Sequence, residues 1–348
     1  MSMHASPRVL GPSAPSRPRA RWASRPSSRA SAVRAADSSS LSSSSSAGAL
    51  GDGWTASQVA AFADSPETRA LVMCDLLELR SAELCPELPM YLLRDGDDIV
   101  ELWARTETFF ERSRSPTDRA SRDYRTTRSE PSAGIHAQSS KREDERTSRA
   151  TSLHPPYWAV PWVGGQGVAR YVLDNPSVVR GKTVLDVGSG CGVAALAAAY
   201  SGARVVCAND IDPLAAVAFA ANAEACGVAA SNATSLETSV EDLLKRSPAD
   251  VAHFDVIMAG DVCFMKGLAE AFQTWLARVS HRKPGAVTIL GDPSRREQWA
   301  PKPGWAAGMR AAATYEVRTA VTSALTEGEE VRNTVVWLSC DDDDGKGD

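Results

Sequence analysis

From about residue 155 onward the chain alternates between two hydrophobic periods. Strand-like runs occur at "TVLDVG" (183 to 188), "RVVCAND" (204 to 210), "FDVIMAGD" (254 to 261) and "AVTILGD" (286 to 292), with a weaker candidate at "AASNATS" (229 to 235). The four clear runs are almost continuously apolar, as parallel strands covered on both faces must be. Helical patterns fill the gaps, for example Val217 to Cys226 and Leu268 to Val279. Two later runs, "TYEVRTAVTS" (314 to 323) and "NTVVWLSC" (333 to 340), alternate instead, and the "ALTEGEEVR" between them reads as a hairpin connection. Five βα units followed by a hairpin predict an α/β, Rossmann-like sandwich over residues 153 to 340, with one antiparallel strand.

Upstream, Leu71, Cys74 and Leu77 fall at helical spacing, which predicts a small helical N-terminal element over residues 51 to 110, packed on the main domain. Two flanking stretches carry too few apolar residues for a core. Residues 1 to 50 hold Arg8, Arg17, Arg19, Arg21, Arg25, Arg29 and Arg34, no lysine, a single acid in Asp37, and long serine runs. That composition is the mark of an organellar transit peptide, addressed to the mitochondrial matrix or alternatively the plastid stroma, and predicts disorder with no part in the fold. Residues 111 to 152 have almost no aliphatic side chains and cannot offset their ordering entropy, so they read as a disordered polar insertion. Their arginines are interrupted by Asp118, Asp123, Glu130, Glu143, Asp144 and Glu145, which favours a solvated charge run over a nucleic-acid site. The tail from 341 to 348 is acidic.

A hydrophobic content of 43% suffices for a large core, and the net charge of −5 argues against a general nucleic-acid or membrane-surface binder. No run approaches the length of a membrane-spanning helix. The seven cysteines contain no CxxC pair, so they read as reduced and buried, with no metal expected. A monomer is expected.

The chemistry concentrates at "DVGSGCG". The glycines are Gly188, Gly190 and Gly192, and the third glycine of a dinucleotide fingerprint would fall at Val193, so the loop is a different one. No Gly-Lys-Ser/Thr follows, which excludes a P-loop. Small residues such as Ser189 let a ligand approach the backbone, and the helix N-terminus beyond favours a carboxylate or phosphate. Asp186 precedes the loop. Asp210, 22 positions after Gly188, ends the second strand where a carboxylate can accept ribose hydroxyls, while Asp212 before Pro213 is placed to cap the next helix. Trp162, and Gly260 at the end of the fourth strand, complete the candidate cofactor set.

Two further features face the same crevice. Tyr157, Trp158 and Trp162 stand before Gly164 and Gly165, either as a wall of the site or as a plug of the sheet edge. Asp261 lies at the C-terminal edge of a parallel strand, where α/β enzymes place ligands, or caps the helix that starts near Lys266.

Glycine loop, second-strand acid and terminal hairpin together resemble the seven-stranded S-adenosylmethionine-dependent methyltransferases. That resemblance implies the strand order 3-2-1-4-5-7-6 with strand 7 antiparallel, and S-adenosylmethionine as cofactor. Longer stretches, "PYWAVPWVGGQGVARYVLDNPSVVRGKTVLDVGSGCG", "ANDIDP", "GDVCF" and "ILGDPSRREQW", resemble the electron transfer flavoprotein β-subunit lysine methyltransferase family, with a fainter echo at "LCPELPMYLL". Bacterial ribosomal-protein methyltransferases are more distantly similar. The resemblance implies a protein-lysine N-methyltransferase acting on the flavoprotein β subunit, with Asp261 and Phe264 catalytic and Tyr157 and Trp158 against the substrate. The chain departs from the family's Asp-x-Phe-Tyr, having Asp261, Val262, Cys263 and Phe264, so the tyrosine hydroxyl is missing. A small-molecule amine methyltransferase and a lapsed cofactor-binding module are the competing readings, and Val193 and the hairpin disfavour a dehydrogenase.

Overall fold

Buried strands that alternate with helices too apolar to face water dominate the architecture. A computed structural model describes residues 34–35, 65–73, 76–94, 99–113, 155–231, 233–280, 283, 285–292, 309–318 and 331–339. Of the polar insertion expected over 111 to 152, residues 111 to 113 instead end a helix; the expectations for 114 to 152, for the rest of residues 1 to 50, for the link after the sixth strand run and for the acidic tail lie outside these residues.

The main sheet contains β1 (Arg34–Ala35), β4 (Thr183–Val187), β5 (Val205–Asn209), β6 (Ser235–Ser239), β7 (Val256–Gly260), β8 (Val287–Asp292), β9 (Met309–Arg318) and β10 (Val331–Ser339). Its order is β1-β6-β5-β4-β7-β8-β10-β9, and counting from β4 this is the expected 3-2-1-4-5-7-6 with β1 added at one edge. The central pairs are parallel, and β10 runs antiparallel to both β8 and β9. The fold class is therefore as the sequence predicts. Three boundaries differ. The third strand is Ser235–Ser239, beyond the 229 to 235 candidate, because only Leu236 of its five residues is buried and no apolar run marks it. Strand β9 begins at Met309 rather than at 314, since its alanines give little alternation. Arg34 and Ala35, expected to stand outside the fold, pair in parallel with Glu237 and Thr238.

Helices α4 (Val193–Tyr200) and α5 (Pro213–Ala225) follow β4 and β5. Every residue from Val193 to Ala199 is buried, and so are Leu214, Ala215, Val217, Ala218, Phe219, Ala221, Asn222 and Ala223. A helix apolar on all sides needs cover on all sides. The N-terminal element provides it, and it is not simply helical: α1 (Pro66–Val72), a hairpin of β2 (Leu77–Ser81) and β3 (Pro89–Leu93), then α2 (Ile99–Ser113). The helical spacing of Leu71 and Leu77 is coincidental, because α1 ends at Val72 and Leu77 opens a strand. Ser65 caps α1 by accepting from the Thr68 N–H at 3.0 Å, with Pro66 in the first turn.

This element shares the main core. Ala82, Cys85, Leu88, Met90 and Leu92 pack with Val168, Val172 and Leu196, while Val72, Leu93 and Leu102 pack with Leu214, Val217 and Ala218. Polar stitches fix it to α3 (Val163–Asp174). Gln166 accepts from the Leu84 N–H at 3.2 Å and donates to the Pro161 carbonyl at 2.7 Å. Arg170 reaches the Leu84 carbonyl, Glu87 and Asp174.

The N-terminus of α3 rests directly on the C-terminal ends of β7 and β8. A Cβ on Gly164 would stand 2.6 Å from both the Gly291 carbonyl oxygen and Asp261 Oδ2, and one on Gly260 or Gly291 would overlap the Gly164–Gly165 backbone. None of these neighbours is a flexible side-chain end that could swing away, Asp261 Oδ2 being itself hydrogen-bonded to α3. Gly291→Ala is therefore expected to destabilise the fold by more than about 3 kcal/mol, beyond the usual range for overpacking. Thermal and urea denaturation check this, with Gly267→Ala, which meets nothing within 4 Å, as the control.

Candidate active site

The glycine loop is shaped by backbone that side chains resist. Gly188, Gly190 and Gly192 have φ of 68°, 53° and 83°, the last as the cap of α4. A Cβ on Gly192 would meet the Phe219 ring at 2.6 Å, and one on Gly188 would meet Val262 at 3.1 Å. The loop is held from beneath: the Ser189 N–H donates to the Asn209 carbonyl at 2.9 Å, and the Gly192 N–H to the Ser189 carbonyl at 2.8 Å. Ser189 is itself nearly buried.

The acids divide the remaining work. Asp186 is buried behind the loop, where its Oδ2 accepts from the Ala195 N–H of α4 at 3.1 Å. Its role is to tie strand to helix. Asp210 faces the loop, with Oδ2 accepting from the Gly190 N–H at 2.9 Å and Oδ1 from the Asp212 N–H at 3.0 Å. Asp212 caps α5 through the Leu214 N–H at 2.9 Å, as the sequence predicts. Burial, tempered by the Ala195 amide and reinforced by the Asp210 charge, pushes the Asp186 carboxyl up to about 7. Burial and then the Asp210 charge raise Asp212 to about 7 as well.

Across the crevice, Asp261 has a left-handed backbone, φ 54°, which no other described non-glycine residue shares. Aspartate tolerates that conformation better than most residues. Its Oδ2 accepts from the Gly164 N–H and from the Gly165 N–H at 3.2 Å, and its own N–H donates to the Gly291 carbonyl at 3.1 Å. The carboxylate therefore caps α3, not the later helix α6 (Lys266–Ser280), and places negative charge at a helix N-terminus. Gly260 belongs to the same seat: the space of its missing side chain is filled by α3 rather than left open to a cofactor.

The aromatic residues separate. Tyr157, 41% exposed, meets Trp162 edge-on at 5.6 Å between ring centroids and Phe264 at 6.2 Å, so three of the candidate side chains form one cradle. Trp162 Nε1 donates to the Tyr157 carbonyl at 2.9 Å, which fixes the two relative to each other. Trp158 is a correction. It is 2% exposed and packs with Leu93, Leu214 and Val217, because the 3-10 turn Tyr157–Ala159 sends neighbouring side chains to opposite sides. Cys263, where the resembling family carries an aromatic, is partly buried and packs against the core cluster that holds Phe272, Trp275 and Leu290. Burial, followed by the nearby Asp292 charge, pushes its thiol up to about 12, which disfavours the thiolate.

Sequence reasoning missed Asn222, a fully buried residue of α5 whose Nδ2 donates to the Cys191 carbonyl inside the loop at 2.9 Å. The signal was present as one amide in an otherwise apolar "PLAAVAFAANAEA" helix.

The raised Asp186 carboxyl has a consequence for stability. The folded state holds this proton more tightly than the unfolded state, whose value is near 3.8. The contribution is therefore complete below that pH and is lost as pH rises toward 7. Asp186→Asn keeps an acceptor for Ala195 and removes the charge. The melting temperature of the ligand-free variant is expected to fall less than that of the wild type between about pH 5 and 8, measured in one buffer series.

Residues 171–268 match the family model of ribosomal protein L11 methyltransferase (PrmA). The chain is 43% identical over 142 residues to the electron transfer flavoprotein beta subunit lysine methyltransferase of Xenopus laevis, covering 41% of this chain and 54% of that protein. It is 40% identical over 140 residues to the protein of the same name from Homo sapiens, covering 40% and 50%. The chain thus spans about half the length of the curated relatives it matches. A solved structure titled a putative SAM-dependent methyltransferase from Streptococcus mutans aligns with a TM-score of 0.39 at 15% identity, over 51% of this chain and 49% of that one. The segment that builds the glycine loop and the Asp261 edge is thus similar to PrmA methyltransferases and to the electron transfer flavoprotein beta subunit lysine methyltransferases.

Proposed function

We propose that the chain is a protein-lysine N-methyltransferase that uses S-adenosylmethionine and acts on the electron transfer flavoprotein β subunit. The observation that carries this reading is the facing arrangement of a glycine loop braced by Asp210 and an aromatic cradle of Tyr157, Trp162 and Phe264. The residues fit the cofactor. A Cβ on Gly190 would make ordinary contact with the Tyr157 carbonyl at 3.8 Å and Trp158 Cα at 3.9 Å, so the loop lies beside the backbone that carries the cradle, and glycine is favoured there by its φ of 53°. Asp210 would hold the ribose hydroxyls, and the loop at the start of α4 would hold the amino-acid end. When bound, S-adenosylmethionine supplies an electrophilic methyl group on a sulfonium.

The chain's own residues then have three tasks. Positioning comes first: the cradle and the loop must hold the amine about 3 to 3.5 Å from its target and in line with it. A free lysine has a pKa near 10.4, so presenting its neutral form at pH 7 costs about 4 to 5 kcal/mol. Tyr157, Trp162 and Phe264 exclude water from the amine and lower that cost. Asp261 works the other way, since a carboxylate favours the ammonium. Its part is to seat α3 and to orient the amine, with the proton passing to water.

The similarity of the curated relatives supports the flavoprotein β subunit as substrate, and the arginine- and serine-rich start supports the mitochondrial matrix, with the plastid stroma as the alternative. Cys263 and Phe264, which stand where the resembling family has an aromatic and a tyrosine, favour a second reading, a cofactor-binding module that has lost turnover.

Labelled S-adenosylmethionine incubated with the full chain and purified flavoprotein β subunit tests the proposal. Label is expected on lysine of the β subunit. Asp210→Ala should weaken cofactor binding by about tenfold or more, the scale of losing hydrogen bonds to a charged group. Asp261→Ala should lose transfer while still binding cofactor. Cofactor binding without any label on protein would favour the lapsed module, and label confined to small amines would displace the protein substrate.

A further inference from the structure

Asn222 does more than brace the loop. Its Oδ1 accepts from the Tyr91 N–H of β3 at 2.7 Å, while its Nδ2 donates to Cys191 in the glycine loop at 2.9 Å. The Tyr91 N–H is turned toward this amide rather than toward Leu79, its cross-strand partner in β2. Asn222 is 0% exposed, in a helix whose other buried residues are Ala, Val, Leu and Phe. A polar group so placed is tolerated only when both of its ends are satisfied, so losing either partner leaves a buried amide unmatched.

The loop side is equally constrained. Cys191 lies between Gly190, whose N–H is held by Asp210, and Gly192, the left-handed cap of α4. Asp210 and Asn222 therefore fix consecutive parts of one loop from two directions. On the far side, Leu93 of β3 packs in one cluster with Leu214 and Val217 of α5, while α1 is held to the same helix by Val72 and by the Arg69–Glu224 ion pair at 2.6 Å.

We infer that the N-terminal hairpin is a working part of the cofactor site: β3 positions Asn222, Asn222 positions the glycine loop, and hairpin order is thereby coupled to cofactor affinity. Asn222 is a positioning residue in this scheme, and the inference rests on the reading of the loop as an S-adenosylmethionine site. The coupling is reciprocal, because a ligand that favours one loop arrangement must favour the hairpin arrangement that supports it.

The test uses the full chain and S-adenosylhomocysteine, the demethylated product, as the probe. In the wild type, saturating probe is expected to slow amide hydrogen exchange in residues 89–93 by about fivefold or more. Two variants divide the bridge. Asn222→Asp keeps an acceptor for Tyr91 and, when ionised, loses the donor for Cys191. Tyr91→Pro removes the hairpin's bond and leaves the donor for Cys191 in place. Each is expected to raise the probe Kd by about fivefold or more at temperatures where circular dichroism shows the native fold. Their double variant should be less than additive, as members of one network are.

Wild-type affinity in Tyr91→Pro together with unchanged exchange in residues 89–93 would overturn the inference. So would lowered melting temperatures at unchanged Kd in both variants, which would make the bridge purely structural. Failure of the wild type to bind the probe at all would instead remove the cofactor reading on which the inference rests, and the wild-type titration alone shows that.

Discussion

Helix α3 reaches the C-terminal edge of the sheet because Gly164, Gly260 and Gly291 remove the side chains that would hold it off. Much of the crevice depends on this seat. The same contact puts the Gly164 and Gly165 N–H groups against Asp261, so that a residue at the end of β7 caps a helix that begins almost a hundred positions earlier. It also delivers the chain immediately before α3. Trp162 stands at the helix cap, and its indole holds the Tyr157 carbonyl, which suspends the aromatic cradle across from the glycine loop. A helix kept one side chain further away would carry the cradle off the loop, and the left-handed strain at Asp261 would have no compensating bonds.

Charge is organised around the opposite wall in a complementary way. Asp186, Asp210 and Asp212 converge where β4 and β5 end, and each has a different backbone amide to satisfy. Burial first, and then the Asp210 charge, raise Asp186 and Asp212, so both carboxyls hold a proton more readily than free aspartates. The protein tolerates this crowding because the carboxylates are also its loop supports. Replacing any of them with an apolar residue would leave a loop or helix N–H without a partner. Binding electrostatics and loop architecture are the same set of atoms.

Much of this was legible in the sequence, and the exceptions have physical causes. Strands β4, β5, β7 and β8 are read easily because both faces are covered, so their apolar runs are unbroken. Asp212 before Pro213 is a cap by local chemistry alone. Strand β6 was displaced because its sequence, SLETS, is mostly polar and carries one buried residue. The β2–β3 hairpin was hidden by Pro86 and Pro89, of which Pro89 is admissible only as the first residue of a strand in a two-stranded ribbon. Tyr157 and Trp158 are adjacent and chemically alike, and only the turn that carries them decides which enters the core. The bonds that define Asp261 join residues 96 and 97 positions apart, beyond the reach of any local pattern.

Cys263 and Phe264, with no hydroxyl between them, narrow the kind of chemistry the crevice can perform. The Cys263 thiol lies partly buried against the core where burial disfavours its thiolate, Phe264 meets Tyr157 edge-on and has no hydroxyl, and Oδ2 of Asp261 is engaged by two helix amides. None of these is arranged as a strong base. What remains is exclusion of water and control of direction, both set by rigid parts: the glycine seat of α3, the Trp162–Tyr157 bond and the loop bridged by Asn222. A transfer that needs in-line approach more than proton abstraction is the reaction such a site can accelerate. In that light the N-terminal hairpin is not an appendage, since a site that works by position requires every element that fixes position.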